Sequence, residues 1–239
     1  MKSRLGVNVD HIATLRNARG EGHPDPISYA RQVMNFGANS ITIHLREDRR
    51  HIRDEDVAIF SKIKRIPINL EMAANNEMLK IALKYKPNFV CIVPEKRNEI
   101  TTEGGLNITK NKKIIKKVIS KLNSKKIRTS LFINPNIKDV FASKELNAKC
   151  VELHTGKFAL KVKNNKNYLF EFKKIKNCAT LAKKLGMEVH AGHGLDYKST
   201  KILRKIKSIE EFNIGHFIIG EAIMFGMKKV ITNFRKILN

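Results

Sequence analysis

Histidine and glutamate side chains recur at short apolar runs that are rich in β-branched residues. Five of the eight histidines stand at or just after the ends of such runs: His11, His44, His154, His193 and His216. Glu71 lies inside another run, where its apolar neighbours predict partial burial. Glu152 lies in the same run as His154. Burial raises the basicity of a carboxylate, and histidine titrates near neutral pH, so both suit proton transfer. The structural alternatives are an arginine-paired Glu71 and hydrogen-bonded core histidines.

Glycines near the last two apolar runs suggest a first anion site. Gly192 to Gly194 follow one run, and Gly215 with His216 ends the next. Glycine lets the backbone approach a ligand closely, and free N–H groups at a helix start bind phosphate. Each glycine pair alone is a weak signal, but the two together predict a phosphate site.

Arginines suggest a second anion site. Arg46, Arg49, Arg50 and His51 follow the second run, and the threonine- and glycine-containing segment 101–105 follows the fourth. Arg16 and Arg19, in the first loop of the predicted fold, can serve either site. Arginine is the informative residue because its planar fork binds phosphate oxygens in pairs. Two phosphate sites indicate a bisphosphate or two phosphorylated substrates.

These residues need a fold that brings the ends of the runs together. The predicted strands are Leu5–Val9, Ser40–Leu45, Ile66–Met72, Asn88–Val93, Ile127–Ile133, Cys150–His154, Met187–Ala191 and Glu211–His216. The predicted helices are Pro26–Phe36, Asp54–Lys64, Asn75–Tyr85, Lys112–Leu122, Lys138–Leu146, Leu169–Leu185, Ser199–Ile206 and Ala222–Leu238. This alternation predicts a parallel sheet. Eight units in 239 residues predict an α/β fold, a single TIM (β/α)8 barrel domain over residues 1–239, with extra short helices and its site at the carboxyl ends of the strands. A doubly wound open sheet is the alternative.

The strongly basic composition invites a nucleic-acid interpretation. The chain carries 47 Lys and Arg against 22 Asp and Glu, for a formal charge of +25. Lysine dominates after residue 53, where 33 Lys stand beside five Arg, and this predicts solvated helix faces. The basic stretch 110–126 has no aromatic residue or arginine to stack on bases, which argues against nucleic-acid binding. We therefore expect no nucleic-acid partner.

Other absences narrow the compartment and the chemistry. No apolar run reaches the length of a membrane span, so no membrane partner is expected. Three cysteines without metal-ligand spacing predict a reduced, cytoplasmic chain. No strand ends in lysine, no dinucleotide fingerprint or P-loop occurs, and no tight ligand spacing demands a metal. A barrel-lysine Schiff base therefore has no candidate.

Eight segments, in order along the chain, resemble the pyridoxine 5'-phosphate synthase family of vitamin B6 biosynthesis. They are Gly6–Gly20, His44–Ile52, Asn69–Ala73, Val93–Arg97, Thr101–Leu106, Glu152–Gly156, Ala191–Leu195 and Asn213–His216. The resemblance implies a TIM barrel that condenses 1-deoxy-D-xylulose 5-phosphate with 3-amino-2-oxopropyl phosphate. The implied products are pyridoxine 5'-phosphate, phosphate and water, made without a metal or an organic cofactor. The resemblance also implies a homo-octamer assembled from dimers.

The resemblance assigns roles by position. It implies that His44 and Glu71 accept protons, that His193 donates one and that Glu152 stabilises charge. The residues implied to hold the aminoketone phosphate are Asn8, Arg19, Gly194, Gly215 and His216. Those implied to hold the deoxyxylulose phosphate are Asp10, His11, Arg46, His51 and Thr101. The amine of one substrate can form the imine itself, which agrees with the missing barrel lysine.

Some positions depart from the family pattern, and other functions stay open. Glu221 stands where a basic residue is expected, and His190, for which a structural role is predicted, stands where asparagine is expected. The segment after Gly156 matches poorly. A phosphosugar isomerase or epimerase on the same barrel is the alternative enzyme, although it needs only one phosphate site. A basic nucleic-acid-binding protein is the alternative outside enzymes.

Overall fold

The computed structural model describes residues 2–95 and 104–239 and contains one closed parallel barrel. Each strand pairs with the next along the chain, and β8 pairs with β1, which closes the sheet. The strands are β1 Arg4–Asn8, β2 Ser40–His44, β3 Ile68–Met72, β4 Phe89–Ile92, β5 Arg128–Ile133, β6 Cys150–His154, β7 Glu188–Gly192 and β8 Glu211–Ile214. The TIM barrel predicted from the alternating pattern is therefore confirmed, and the open sheet is excluded.

Helices follow every strand among the described residues. They are α1 Asp10–Arg19, α2 Pro26–Asn35, α3 Asp54–Ser61, α4 Asn76–Tyr85, α5 Ile108–Ser124, α6 Ile137–Glu145, α7 Gly156–Lys163, α8 Leu169–Lys184, α9 Tyr197–Leu203, α10 His216–Phe225 and α11 Met227–Leu238. Local sequence explains several starts: the Asp25 carboxylate accepts the backbone N–H groups of Ile27 and Ser28, and Pro26 opens α2. No helix among these is both long and apolar enough to cross a membrane.

Two helices occur where the apolar spacing predicts none. On α1 the buried positions include the charged residues Asp10 and Arg16, so its inward face is not an apolar stripe. The α7 helix begins at Gly156, directly after β6, and it is short. The buried positions of α7, Phe158, Ala159 and Val162, are apolar, but eight residues are too few for a clear helical period.

The end of the chain differs from the prediction of one helix over Ala222–Leu238. Two helices, α10 and α11, meet at Gly226, whose φ of 77° lies in the left-handed region and breaks the helix. The predicted strand Glu211–His216 is also too long. It ends at Ile214, because His216 already belongs to α10.

Ion pairs close the amino-terminal end of the barrel. The first residues of four strands meet there: Arg4 and Arg128 both contact Glu188, and the Arg4 Nε donates to Glu211 Oε2 at 2.6 Å. The buried His190 lies between the two glutamates, with its Nε2 3.0 Å from Glu188 Oε1 and its Nδ1 3.8 Å from Glu211 Oε1. These contacts support the structural role predicted for His190.

A buried ion pair ties α1 to α3. The Arg16 guanidinium donates to both carboxylate oxygens of Asp56, at 2.6 and 2.9 Å, and both side chains are buried. A bidentate pair of this kind leaves little of the guanidinium for a ligand. The proposal that Arg16 serves an anion site is therefore wrong; the sequence pattern missed its partner, Asp56.

Candidate active site

The carboxyl ends of β1 to β3 bring Asp10, His44 and Glu71 together. Asp10 is locked in place, because its Oδ1 accepts the backbone N–H of His44 at 2.8 Å and its Oδ2 accepts the Asn8 amide at 2.7 Å. The Asp10 N–H in turn donates to Asn8 Oδ1 at 2.9 Å. His44 and Glu71 are register partners on neighbouring strands, so their side chains share the barrel mouth.

The His44 ring lies between two carboxylates. Its Nδ1 is 3.8 Å from Glu71 Oε2, and its Nε2 is 3.7 Å from Glu95 Oε2. The Glu95 side chain is 2% exposed and also accepts the Glu47 N–H at 2.6 Å. Burial alone would raise the pKa of Glu95, but His44, the Glu47 amide and Arg46 hold it below its ordinary value. The sequence predicts no role for Glu95, although its position just past the end of β4 points to the same end of the barrel.

Glu71 has a strongly raised pKa. Burial is the main cause, and the negative charges of Glu152 and Asp10 add to it. The arginine pairing considered for Glu71 does not occur among its described contacts. A carboxylate in this setting binds a proton more tightly than an exposed one, which is the property a general base needs near neutral pH.

Glu152 is held inside the barrel by Asn213. The Asn213 amide donates to Glu152 Oε2 at 2.6 Å, from β8 to β6. Burial raises the pKa of Glu152 to about 6, against the lowering effects of His190 and the Asn213 hydrogen bond. A Cβ on Gly192 would lie 2.1 Å from Glu152 Oε1, and one on Gly6 would lie 2.0 Å from Asn213 Oδ1. The two glycines therefore make room for this polar pair.

His193 and His154 form a ring pair at the ends of β6 and β7. Their centroids are 4.8 Å apart, and the Phe132 ring packs edge-on against His154 at 5.3 Å. Burial lowers the pKa of His193, and burial together with His193 and Lys157 lowers that of His154 to about 4. A lowered pKa favours the neutral imidazole at neutral pH, and the neutral ring keeps one N–H that can act as a donor.

Three further histidines, His11, His51 and His216, cluster after β1, β2 and β8. The His11 ring centroid is 5.8 Å from that of His51 and 5.1 Å from that of His216. His51 Nδ1 lies 2.7 Å from Thr14 Oγ1. Burial, with the nearby His11 and His44, lowers the pKa of His51 to about 4.

The predicted glycine-based anion site lies at the start of α10. Gly215 precedes that helix, whose first N–H groups have no helical acceptor. A Cβ on Gly215 would lie 2.8 Å from the Asn8 Cβ, so only glycine lets these strand ends come so close. Gly194 has a φ of 75°, which turns the backbone after His193.

The predicted arginine cluster is only partly available to an anion. Arg49 pairs with Asp54 and Glu77 at 2.9 and 2.6 Å, and Arg50 pairs with Asp48 at 2.6 Å. The buried Arg46 is the member that reaches the site, where its Nε lies 3.5 Å from Asp48 and 3.7 Å from Glu95.

One predicted substrate-binding residue, Arg19, is strongly exposed. Its side chain is 76% exposed, and its ion-pair partner is Glu21 at 3.4 Å. Thr101 lies outside the described residues, as does the whole segment 96–103.

Two groups of side chains have the spacing of metal ligands among the described residues. Asp10, His44 and Glu71 offer ligand atoms within 4.8 Å of one another, and so do Glu188, His190 and Glu211. Arginines already neutralise the second group, since Arg4 and Arg128 contact it. The first group can geometrically hold a divalent cation, and the expectation of metal-free chemistry stays a prediction.

Comparison with known sequences gives a match over nearly the whole chain. The model of the family described as "Pyridoxal phosphate biosynthesis protein PdxJ" matches residues 5–239. The pyridoxine 5'-phosphate synthase of Pelagibacter ubique is 64% identical over 236 residues, which cover 99% of both chains. The enzyme of the same name from Zymomonas mobilis is 50% identical and covers 99% of this chain and 91% of its own.

Comparison with solved structures supports the fold. A 3-keto-L-gulonate-6-phosphate decarboxylase from Vibrio cholerae aligns with a TM-score of 0.69 at 11% identity, over 100% of this chain and 98% of its own. The tryptophan synthase A-subunit from Pyrococcus furiosus aligns with a TM-score of 0.63 at 14% identity, over 100% and 99%. At such low identity these likenesses speak for the barrel alone.

The space at Gly192 gives a stability prediction. Gly192→Ala drives a methyl group into Glu152 Oε1, so we expect the free energy of unfolding to fall by about 1–3 kcal/mol in urea denaturation. Gly220→Ala is the matched control, because Gly220 is exposed within α10 and its added Cβ meets no atom within 4 Å. The control should gain up to about 1 kcal/mol. Equal stability of Gly192→Ala and the unchanged protein would contradict the tight fit.

Proposed function

The chain belongs to the PdxJ family of pyridoxal phosphate biosynthesis proteins, and we propose that the mouth of its barrel is the active site of a pyridoxine 5'-phosphate synthase. The reaction of this enzyme joins 3-amino-2-oxopropyl phosphate to 1-deoxy-D-xylulose 5-phosphate and closes a pyridine ring. The observation that carries the assignment of the site is the cluster of the buried Glu152 and His44 with the partly buried Glu71 at the carboxyl-terminal side of the barrel.

The side chains are suited to the proton transfers of this condensation. The amine of one substrate attacks the ketone of the other, and water leaves as the imine forms. Ring closure then requires that protons are removed from substrate carbon atoms. Protons must also be given to the oxygen atoms that leave as water and phosphate. Glu71, with its raised pKa, and His44 beside it act as the proton acceptors, and His193 acts as the donor through its ring N–H. Glu152 stabilises positive charge that develops beside it.

Two groups of residues hold the phosphates on either side of these acids and bases. For the aminoketone phosphate we propose Asn8, Arg19, Gly194, Gly215 and His216. For the deoxyxylulose phosphate we propose Asp10, His11, Arg46, His51 and Thr101. The start of α10 supplies N–H groups to the first, and the buried Arg46 supplies charge to the second. Anchoring both substrates lowers the entropic barrier to their reaction.

A turnover assay tests the function and the role of Glu71 together. Purified protein incubated with both phosphorylated substrates should release phosphate and develop pyridine absorbance. Glu71→Gln should lower kcat by about a hundredfold or more, because the general base is lost. In the pH profile, kcat/KM should fall towards acid pH with a midpoint above 4.5, the ordinary pKa of glutamate. The reason is that Glu71 must be ionised to accept a proton and its pKa is raised.

Glu145→Gln is the matched control for that assay. Glu145 is 63% exposed on α6 and pairs with Lys112, so the same change should leave kcat and the pH profile as they are. A folded chain that makes no pyridine product would overturn the proposed function. Wild-type turnover in Glu71→Gln would remove Glu71 from its role.

Self-association and a cytoplasmic location complete the proposal. We infer that the chain, as one barrel domain, assembles with copies of itself, and an octamer is the form that the resemblance implies. Ile223, Met224 and Phe225 are 74%, 77% and 62% exposed at the end of α10, and such an apolar patch supports an interface. Light scattering should give a molecular mass that is several times the 27.3 kDa of one chain. A mass of 27.3 kDa would contradict self-association. Three free, buried cysteines support a reducing compartment, which cell fractionation checks.

A further inference from the structure

We propose that Thr155 is a positioning residue for His193, because its hydroxyl holds the strained backbone turn that aims the imidazole into the barrel mouth. The inference rests on the proposed function in one respect, namely that His193 is the proton donor. Thr155 itself touches no reacting group. It lies at the end of β6, fully buried, with its side chain turned towards the neighbouring strand end.

The backbone at His193 is in a conformation that side chains rarely adopt. Its φ is 78°, in the left-handed region, and Gly194 follows with a φ of 75°. Glycine tolerates this region, but for histidine it is strained and persists only where surrounding contacts impose it. Some contact must therefore hold the turn after β7 in place.

Thr155 contacts the carbonyl oxygens on both sides of this turn through three hydrogen bonds. Its Oγ1 donates to the Gly192 carbonyl at 2.8 Å and lies 2.7 Å from the His193 carbonyl, so the one hydroxyl hydrogen serves both oxygens. Its backbone N–H also donates to the Gly192 carbonyl, at 2.9 Å. The two carbonyls flank the strained φ of His193. Without the hydroxyl, the His193 carbonyl loses this donor and the turn can relax.

The neighbours of Thr155 in sequence hold the ring rather than the backbone. The His154 ring packs at 4.8 Å from that of His193. A Cβ on Gly156 would lie 2.9 Å from His154 Nε2 and 3.0 Å from His193 Cδ2, so the missing side chain leaves room for both rings. The end of β6 thus contacts both the ring and the backbone of His193. Thr155 supplies the hydrogen bonds to the backbone.

Removing only the hydroxyl tests the proposal. Thr155→Val keeps the shape of the side chain, and we expect it to lower kcat by about a hundredfold while each KM changes less than about threefold, because a small displacement of a catalytic group costs that much. Thr155→Ser restores the hydroxyl and should recover most of kcat. If Thr155→Val does not fold, Thr155→Ala adds no bulk and should show the same loss.

A second measurement does not depend on turnover. The pKa of His193 lies below its ordinary value because the ring is buried. NMR titration of the histidine rings should find it there in the unchanged protein and in Thr155→Ser, and closer to the ordinary 6.5 in Thr155→Val as the ring moves towards water.

Thr200→Val is the matched control. Thr200 is also fully buried, on α9, and its hydroxyl has no hydrogen-bond partner in the described part of the chain. The same substitution there should leave kcat and the His193 pKa unchanged.

The outcomes separate this inference from the proposed function. Absence of turnover by the unchanged protein would overturn the proposed function. The NMR titration would still decide whether Thr155 positions His193. A folded Thr155→Val with unchanged kcat and unchanged His193 pKa would overturn the inference. Equal losses in Thr155→Ser and Thr155→Val would overturn it too, since the hydroxyl would then be irrelevant.

Discussion

Two glutamates that point into the barrel, Glu71 and Glu152, are largely removed from water by the closure of the sheet. Burial raises both pKa values, and a nearby negative charge adds to this, from Glu152 at Glu71 and from Glu211 at Glu152, because like charges repel in a medium of low polarity. A barrel with these residues at its strand ends must therefore provide compensating groups. The rest of the site is best understood as that compensation.

The compensating groups come from strands that lie far apart in sequence. Asn213 donates to Glu152, and Gly6 and Gly192 leave the space in which that pair fits. His44 lies between Glu71 and Glu95, with one ring nitrogen 3.8 Å from the first carboxylate and the other 3.7 Å from the second. The same closure places the start of α10, which follows β8, at the carboxyl ends of the strands, where the proposed acid, base and anion-binding groups lie.

Much of the fold and part of the site follow from the sequence. The strands are predictable because each is a short apolar run, and so is the placement of His44, Glu71 and His193 on the carboxyl-terminal side of the barrel, because they lie in or just after such runs. Helix α1 escapes prediction because its buried face carries Asp10 and Arg16 instead of an apolar stripe. Ion pairs between residues that are distant in sequence are not predicted either.

The misassigned arginine shows the physical reason. Arg16 pairs with Asp56, forty residues further along the chain, and no local pattern announces that contact. The contacts of Glu95 with His44 and of Asn213 with Glu152 likewise depend on which strand ends meet across the mouth. Residue types and spacing can therefore suggest chemistry, while the partners that tune each group emerge only from the closed barrel.

The central claim is that one barrel mouth holds two anion sites around buried acids and bases. A crystal soaked in inorganic phosphate tests it most directly. We expect two bound phosphates, one on the backbone N–H groups of Gly194, Gly215 and His216, and one beside Arg46 and His51. Phosphate found only on exposed lysines of the outer helices, with the mouth empty of anions, would contradict the account.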